Sequence, residues 1–388
     1  MDLSRHFRYL RLFTLLLCLG DLPATTLAQL STGDHLAESG FWPTREFASR
    51  DGFVGAQACS PCHAAKIASQ QKTPMGQTAM SAAIADILHS HPALSFKVEN
   101  YQYRIDTRSG QSMYSITNGE EKIVYPLLWA FGTGRVAQSF LFKKEDGGFY
   151  EARATYFTQL GNLDFTPDRA LLHPSTPEEA MYRPVALAEV QRCFACHSTA
   201  STIAGKFDEQ HLTPGVSCEA CHGPGADHVK AMDDLLAIDS AKTKNTIFNS
   251  AHLPPSDAVD FCGACHGSWW DVKLAGVKGV STTRSAPYRL ITSKCWGKSG
   301  DVRLTCTACH DPHKQLQTEA TAYDKKCLSC HALSQDAATT AAHPAAACPK
   351  ATSQCTTCHM PKINVPEMHA DFTDHRIRIV KPGEPFPE

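Results

Sequence analysis

What this 388-residue chain lacks already narrows its class. It has no run of about eighteen or more apolar residues, so no membrane-spanning helix is expected. Neither sign of charge prevails: 37 Lys and Arg stand against 39 Asp and Glu, a formal −2, and the basic excess of a nucleic-acid binder is missing. Nor does the composition suit wholesale disorder, since 9% of the chain is aromatic and 43% hydrophobic. A nucleotide fingerprint is absent too, because Gly132-Thr-Gly134 is followed by no third glycine and no strand–helix unit. The length allows two or three units of about 100–200 residues each.

Cysteine, by contrast, is abundant: there are 17, with 19 His. Residues 1–28 read as a secretory signal. Arg5, Arg8 and Arg11 precede a short apolar core, Leu12 to Leu19, and Thr26-Leu27-Ala28 supplies the cleavage site. A lipoprotein site at Cys18 is the weaker reading, because Leu17 stands where a small residue is needed. Removal of the signal leaves 16 cysteines in a periplasmic or extracellular compartment.

Fourteen of these form seven copies of one pattern, Cys-x-x-Cys-His. They are Cys59/Cys62/His63, Cys193/Cys196/His197, Cys218/Cys221/His222, Cys262/Cys265/His266, Cys306/Cys309/His310, Cys327/Cys330/His331 and Cys355/Cys358/His359. The composition predicts about 0.04 copies by chance. Two thiols three residues apart, about one helical turn, capture the two vinyl groups of a porphyrin as thioethers. The next residue then offers its imidazole to the iron. Paired Cys-x-x-Cys units can also hold zinc, but zinc does not require a His after every second Cys. A thioredoxin-like pair needs one such unit in a βαβ context, not seven. Seven covalent c-type haems are expected. The remaining Cys295 and Cys348 form a disulfide in the simplest reading, with a thiolate ligand to iron as the alternative.

The gap between the first two motifs is 129 residues and later gaps run from 16 to 39. Six motifs within residues 193–359 leave too little chain for a conventional core, so the cofactors themselves are expected to be the core. Residues 95–165 differ. Phe96, Val98, Tyr101, Tyr103 and Ile105 nearly alternate, and Asn118-Gly119 and Asp146-Gly147-Gly148 mark hairpins. The fold class predicted is α plus irregular, organised around seven haems, with a small antiparallel β insert of four to six strands. Its segments are the signal (1–28), a first-haem segment (29–94), the insert (95–165), a six-haem region (166–380) whose Pro-rich start at 165–190 acts as linker, and a mobile tail (381–388).

Eleven histidines remain for the opposite axial positions. His313, in His310-Asp-Pro-His313, is too close to reach the far face of its own haem and is expected to cap a neighbour; His228 follows the same logic. His343, His369 and His375 are further candidates. His173 and His252 stay undecided, while His35, His89, His91 and His211 read as bystanders.

These stretches resemble the multihaem cytochromes c related to the tetrahaem electron acceptor of hydroxylamine oxidoreductase, a group whose bacterial members are often fused to tetratricopeptide repeats. The likeness rests on Phe53-Val-Gly-Ala-Gln-Ala-Cys59, the segment from Gly215 to His228 with its Gly-Pro-Gly, Leu304 to His313, Cys355 to Lys362 and Phe372-Thr-Asp-His-Arg-Ile377. It spans about residues 50–380 and implies that His228 and His313 cap neighbouring haems. Two departures are evident. No repeat array follows the motifs, and the segment after the first motif lacks the distal His of many relatives. Met75 stands there instead, as a thioether ligand or as packing on the porphyrin.

Electron transfer between redox partner proteins is therefore the expected function. The alternative is reduction of a small oxyanion or nitrogen compound at one five-coordinate haem, without the Cys-x-x-Cys-Lys motif known from one style of nitrite-reducing site. A sensor or assembly protein using its haems structurally is a third, weaker reading. With the signal removed, seven oxidised haems bring the charge to about −10, so partners are expected to present basic docking patches.

Overall fold

The near-alternation of residues 96–105 is a hairpin rather than one strand. In the computed structural model, which describes residues 49–170, 173–237, 246–296, 304–331, 348 and 350–388, β2 (Ala93–Val98) pairs antiparallel with β3 (Tyr101–Arg108). Leu94, Phe96 and Val98 lie opposite Ile105, Tyr103 and Tyr101. Cross-strand partners share a face, so the two-residue turn at Glu99-Asn100 moves the apolar face from even to odd positions. β3 leads through Ser109-Gly110, both in left-handed conformation, into β4 (Gln111–Thr117). The hairpin expected at Asn118-Gly119 joins β4 to β5 (Lys122–Pro126), where the Asn118 side chain accepts from the amides of Glu120 and Glu121.

A second sheet contains β1 (Ala79–Ser81), β6 (Trp129–Phe131), β7 (Ala137–Lys143), β8 (Phe149–Ala152), β9 (Ala154–Phe157), β10 (Asn162–Phe165) and β11 (Tyr182–Val185). The Asp146-Gly147-Gly148 hairpin closes β7 onto β8. Nine strands therefore lie between residues 93 and 165, more than the four to six expected. One reason is Arg153, which divides Phe149–Phe157 in two: β8 pairs with β11, and β9 with β10.

The main core lies in this β region. Tyr103, Ile105, Tyr114, Ile116, Phe140, Phe142, Leu163 and Met181 are buried together. The Tyr114 hydroxyl, buried among them, donates to the Met181 carbonyl at 2.9 Å.

The Pro-rich stretch expected to be a linker is structured. Thr176 caps the helix Pro177–Met181 through the amide of Glu179, and Tyr182–Val185 then joins the sheet. Pro184 is tolerated because β11 is an edge strand.

Each motif sits on or just after one short helix, and we label these seven helices α1 (Gly55–Gln70), α2 (Leu187–His197), α3 (Cys218–His222), α4 (Pro255–His266), α5 (Cys306–Cys309), α6 (Asp324–Leu328) and α7 (Cys355–His359). α1 kinks at His63, which has non-helical dihedrals. α2 packs Val190 and Phe194 against Leu141, Phe149 and Val185, fixing the second motif to the sheet. Gly215, at φ +77°, lies against the backbone of Gly76 where a Cβ would collide, and the Val216 amide donates to the Met75 carbonyl at 2.9 Å.

The C-terminal residues expected to be mobile are tied down. Arg289 donates to the Pro387 carbonyl at 2.8 Å, Arg376 to that of Glu388 at 2.6 Å, and the Glu388 carboxylate accepts from the Gly279 amide. No helix among the described residues is long and apolar enough to cross a membrane. The expectations for residues 1–28, Cys18, His35 and His343 lie outside the described residues.

Candidate functional site

The motifs meet one another in groups. Cys59 of the first and Cys218 of the third are in side-chain contact, and burial, with Cys218 and Glu219 adding to it, pushes the Cys59 thiol up to about 11. Glu219, 3% exposed, fastens these two motifs: its carboxylate accepts from the amides of Val54 (2.9 Å), Gly55 (2.8 Å) and Gly225 (2.9 Å). Two of those amides open α1, where a carboxylate also meets the positive end of the helix dipole. The second and fourth motifs interlock through the Cys196 thiol on the Ala264 carbonyl at 3.5 Å and the Cys265 thiol on that of Cys196 at 4.0 Å. Cys262 of the fourth and Cys306 of the fifth hydrogen-bond thiol to thiol. Asp324 of α6 accepts from the amides of Gln354 (2.8 Å) and Cys355 (2.9 Å), bringing the sixth and seventh motifs together. The Cys327 and Cys355 thiols meet there as well.

These thiol pairs, Cys59 with Cys218, Cys262 with Cys306 and Cys327 with Cys355, all join the first cysteines of their motifs. The second cysteines Cys62, Cys221 and Cys358, equally expected as haem-attachment residues, are not brought into these pairs. Cys62 and Cys358 are exposed, and Cys221 is half-buried. Second thiols do reach a junction between the second and fourth motifs, where Cys196 and Cys265 meet backbone carbonyls rather than another thiol. A thioether asks only for the porphyrin edge, so an open thiol remains compatible with attachment.

The imidazoles show which nitrogen is left to act. Nδ1 of His222 is 2.9 Å from the Phe248 carbonyl, that of His359 is 2.8 Å from Arg378 O, and that of His375 is 3.0 Å from Thr373 O. A carbonyl only accepts, so Nδ1 is the donor in each case, which leaves Nε2 as the nitrogen open to a metal. His197 Nδ1 is likewise held by Thr78, at 2.7 Å from its hydroxyl and 3.2 Å from its carbonyl. His313 Nδ1 meets the Asp311 carboxylate at 3.1 Å, and His228 Nδ1 meets the Thr246 hydroxyl at 3.3 Å. Burial lowers the pKa of His197, His266, His310 and His375, which favours the neutral, coordinating form at pH 7.

Two pairs of rings face each other from distant parts of the chain. His222 and His313 have centroids 6.1 Å apart with planes 13° from parallel; His310 and His375 are 6.3 Å apart at 45°. Two imidazoles on opposite sides of one metal, each bonded at about 2 Å, would have centroids about 6 Å apart, and the spacing of both pairs matches that distance. Among the described residues no three or more His, Cys, Asp or Glu converge as a closed metal cage requires. A haem asks the protein for only two axial donors.

Other candidates are placed differently. His369, expected as a ligand, has Nε2 at 2.9 Å from the Asp164 carboxylate and its ring edge-on to Phe157, so it docks the C-terminal segment onto the β region instead. Cys295 and Cys348, expected to form a disulfide, are not bridged; Cys295 lies instead within electrostatic reach of Cys330 in the sixth motif. His173 is paired with Glu99 at 2.7 Å on the surface. His89, His91 and His211 hydrogen-bond to Ala83, Ile87 and Asp208 close by in sequence. Met75 is half-buried in the turn after α1, its carbonyl bound by Val216.

Glu219 and Asp324 were missed by sequence reasoning. Glu219 carried a signal, since it is the one charged residue among the fourteen x positions of the motifs. Asp324 carried none.

The family described as cytochrome c554 and c-prime matches residues 172–223, which hold the second and third motifs. The multihaem cytochrome MtrA of Shewanella baltica (strain OS185) is 23% identical over 180 residues, 36% of this chain. The chain spans about half the length of that curated relative, 52%. The crystal structure of the outer cell wall cytochrome OcwA superposes with a TM-score of 0.46 at 14% identity, covering 85% of this chain and 80% of the other.

Proposed function

We propose that this chain, similar to multihaem c-type cytochromes and so expected to carry covalent haem c and to transfer electrons, is a secreted heptahaem relay. Seven haems are held as thioethers by the fourteen motif cysteines, the open Cys62 and Cys358 and the half-buried Cys221 among them. His63, His197, His222, His266, His310, His331 and His359 are the proximal ligands. His313 stands opposite His222 and His375 opposite His310; His228 and His343 serve other haems. The reading rests above all on the two ring pairs at 6.1 and 6.3 Å, because their spacing suits one metal and their members come from different motif segments. When bound, haem iron exchanges one electron between its ferric and ferrous states. The chain's own part would be to orient the imidazoles through Nδ1, supply imidazole donors to the irons so that little rearranges, and keep neighbouring motifs in contact.

The mass of the mature holoprotein should show seven haems and no residues 1–28. Electron paramagnetic resonance should give low-spin signals, and the ferrous spectrum should not shift under carbon monoxide. A high-spin fraction near one haem in seven that binds carbon monoxide would instead support reduction of a small oxyanion or nitrogen compound at an open iron, with Met75 the first residue to substitute. Partners with basic patches should bind more weakly as ionic strength rises.

A further inference from the structure

We propose that Asp374 is a positioning residue: clamped between Arg289 and Arg378, it holds segment 373–378 so that His375 faces the fifth motif while the Arg378 carbonyl orients the histidine of the seventh. This rests on the reading of His310 and His359 as haem ligands.

Arg289 and Asp374 are both 0% exposed. They meet as a fork, Nε to Oδ1 at 2.8 Å and Nη2 to Oδ2 at 2.9 Å. Arg378 donates a further bond to Oδ2 at 2.7 Å, and the Arg376 amide donates to Oδ1 at 3.0 Å. Four donors thus converge on one carboxylate, and the backbone of residues 374–378 is wound around it. A second anchor comes from the same side as Arg289. The Ser293 hydroxyl donates to the His375 carbonyl at 3.1 Å and accepts from the Ile377 amide at 2.8 Å. The Phe386 ring covers the Arg289 guanidinium at 4.5 Å.

Taking both ions from water largely cancels their attraction, so such a pair is weak evidence for stability and better evidence for a fixed geometry. Here that geometry serves two motifs. The His375 ring is 6.3 Å from that of His310. Arg378 is joined twice to His359: its carbonyl accepts from Nδ1 at 2.8 Å and its amide donates to the His359 carbonyl at 3.2 Å. A bond at Nδ1 fixes an imidazole's orientation and raises its basicity as a ligand. Loosening the clamp should therefore disturb two centres together and spare the others.

The test uses the full-chain holoprotein, with haem content counted by mass in every variant. His375→Ala should render about one haem in seven high-spin and able to bind carbon monoxide. Asp374→Asn should reproduce that signature in part and shift two components of the redox titration, leaving the rest in place. Asn at 374 leaves Arg289 buried without its counter-ion and can block folding. The double variant Arg289→Gln/Asp374→Asn removes both charges and should give the same signature. Fully loaded, low-spin and carbon-monoxide-silent Asp374→Asn and double variants, where His375→Ala does bind carbon monoxide, would overturn the clamp and leave the relay reading standing. Shifts spread across every component would mark a purely structural role and overturn it too. An unchanged spectrum in His375→Ala would remove His375 as a ligand and the clamp with it.

Discussion

The strands of residues 79–185 and the motif segments of residues 193–378 obtain their order from different sources. In the first region Tyr114, Phe140 and Phe142 are wholly buried against one another, and the backbone is paired through two sheets. In the second, α3, α5, α6 and α7 have four or five residues each, too short to persist alone. What brings them together is a set of carboxylates on backbone amides, thiol contacts between motifs and imidazoles facing across gaps. A core of aromatic side chains supplies its own packing, whereas a region organised around haem ligands is expected to depend on what they hold.

The strongest way to break this contrast is to make the protein without haem attachment. The motif region should lose its protected amides, while those of β3, β4 and β7 stay protected; hydrogen exchange followed by mass spectrometry reads both at once. Uniform protection across the haem-free chain would refute the division. A second, smaller perturbation attacks the other side. Phe142→Ala should destabilise the β region by about 3–5 kcal/mol, as a large-to-small change in a packed core does. Denaturant titration followed by tyrosine signals should show the loss, with the visible haem spectrum unmoved. The smallest effect concerns pH. The amides of Cys355 and Gln354 hold the Asp324 carboxyl below its usual range. Its contribution is therefore present in full above about pH 4 and is lost as pH falls through the lowered folded value. Exchange at the amides of residues 354 and 355 should accelerate in that window, and Asp324→Asn should abolish the acid dependence.

How much of this was legible in the sequence follows the range of the interactions. Thioether chemistry confines two thiols and an imidazole to five consecutive residues, so all seven motifs could be read directly. Which thiol of a motif meets its neighbour could not: Cys59 pairs with Cys218 while Cys62 lies open, and the motif reads alike at both positions. The turns at Asn118-Gly119 and Asp146-Gly147-Gly148 are local as well, and both joined strands as expected. The hairpin at Glu99-Asn100 was hidden because its turn residues carry no glycine and the apolar pattern runs on across it. Pro184 concealed an edge strand, since proline there costs no hydrogen bond that the sheet needs. The partners of His222 and His310 depend on where the chain returns, which residue spacing does not encode. His369 looked equivalent to His375 in sequence, yet one faces Asp164 and the other His310.

The facing ring pairs also have a meaning in time. His313 follows His222 by roughly ninety residues and His375 follows His310 by roughly sixty-five, so both pairs are contacts of long sequence separation, which form late. A chain emerging N-terminus first presents His222 and His310 well before their counterparts exist. An imidazole that waits must be kept from the wrong neighbour meanwhile, and the carbonyl of Phe248, only 26 positions after His222, is available early to do so. The order of synthesis thus separates the local bond that aims His222 from the distant ring that later completes its pair.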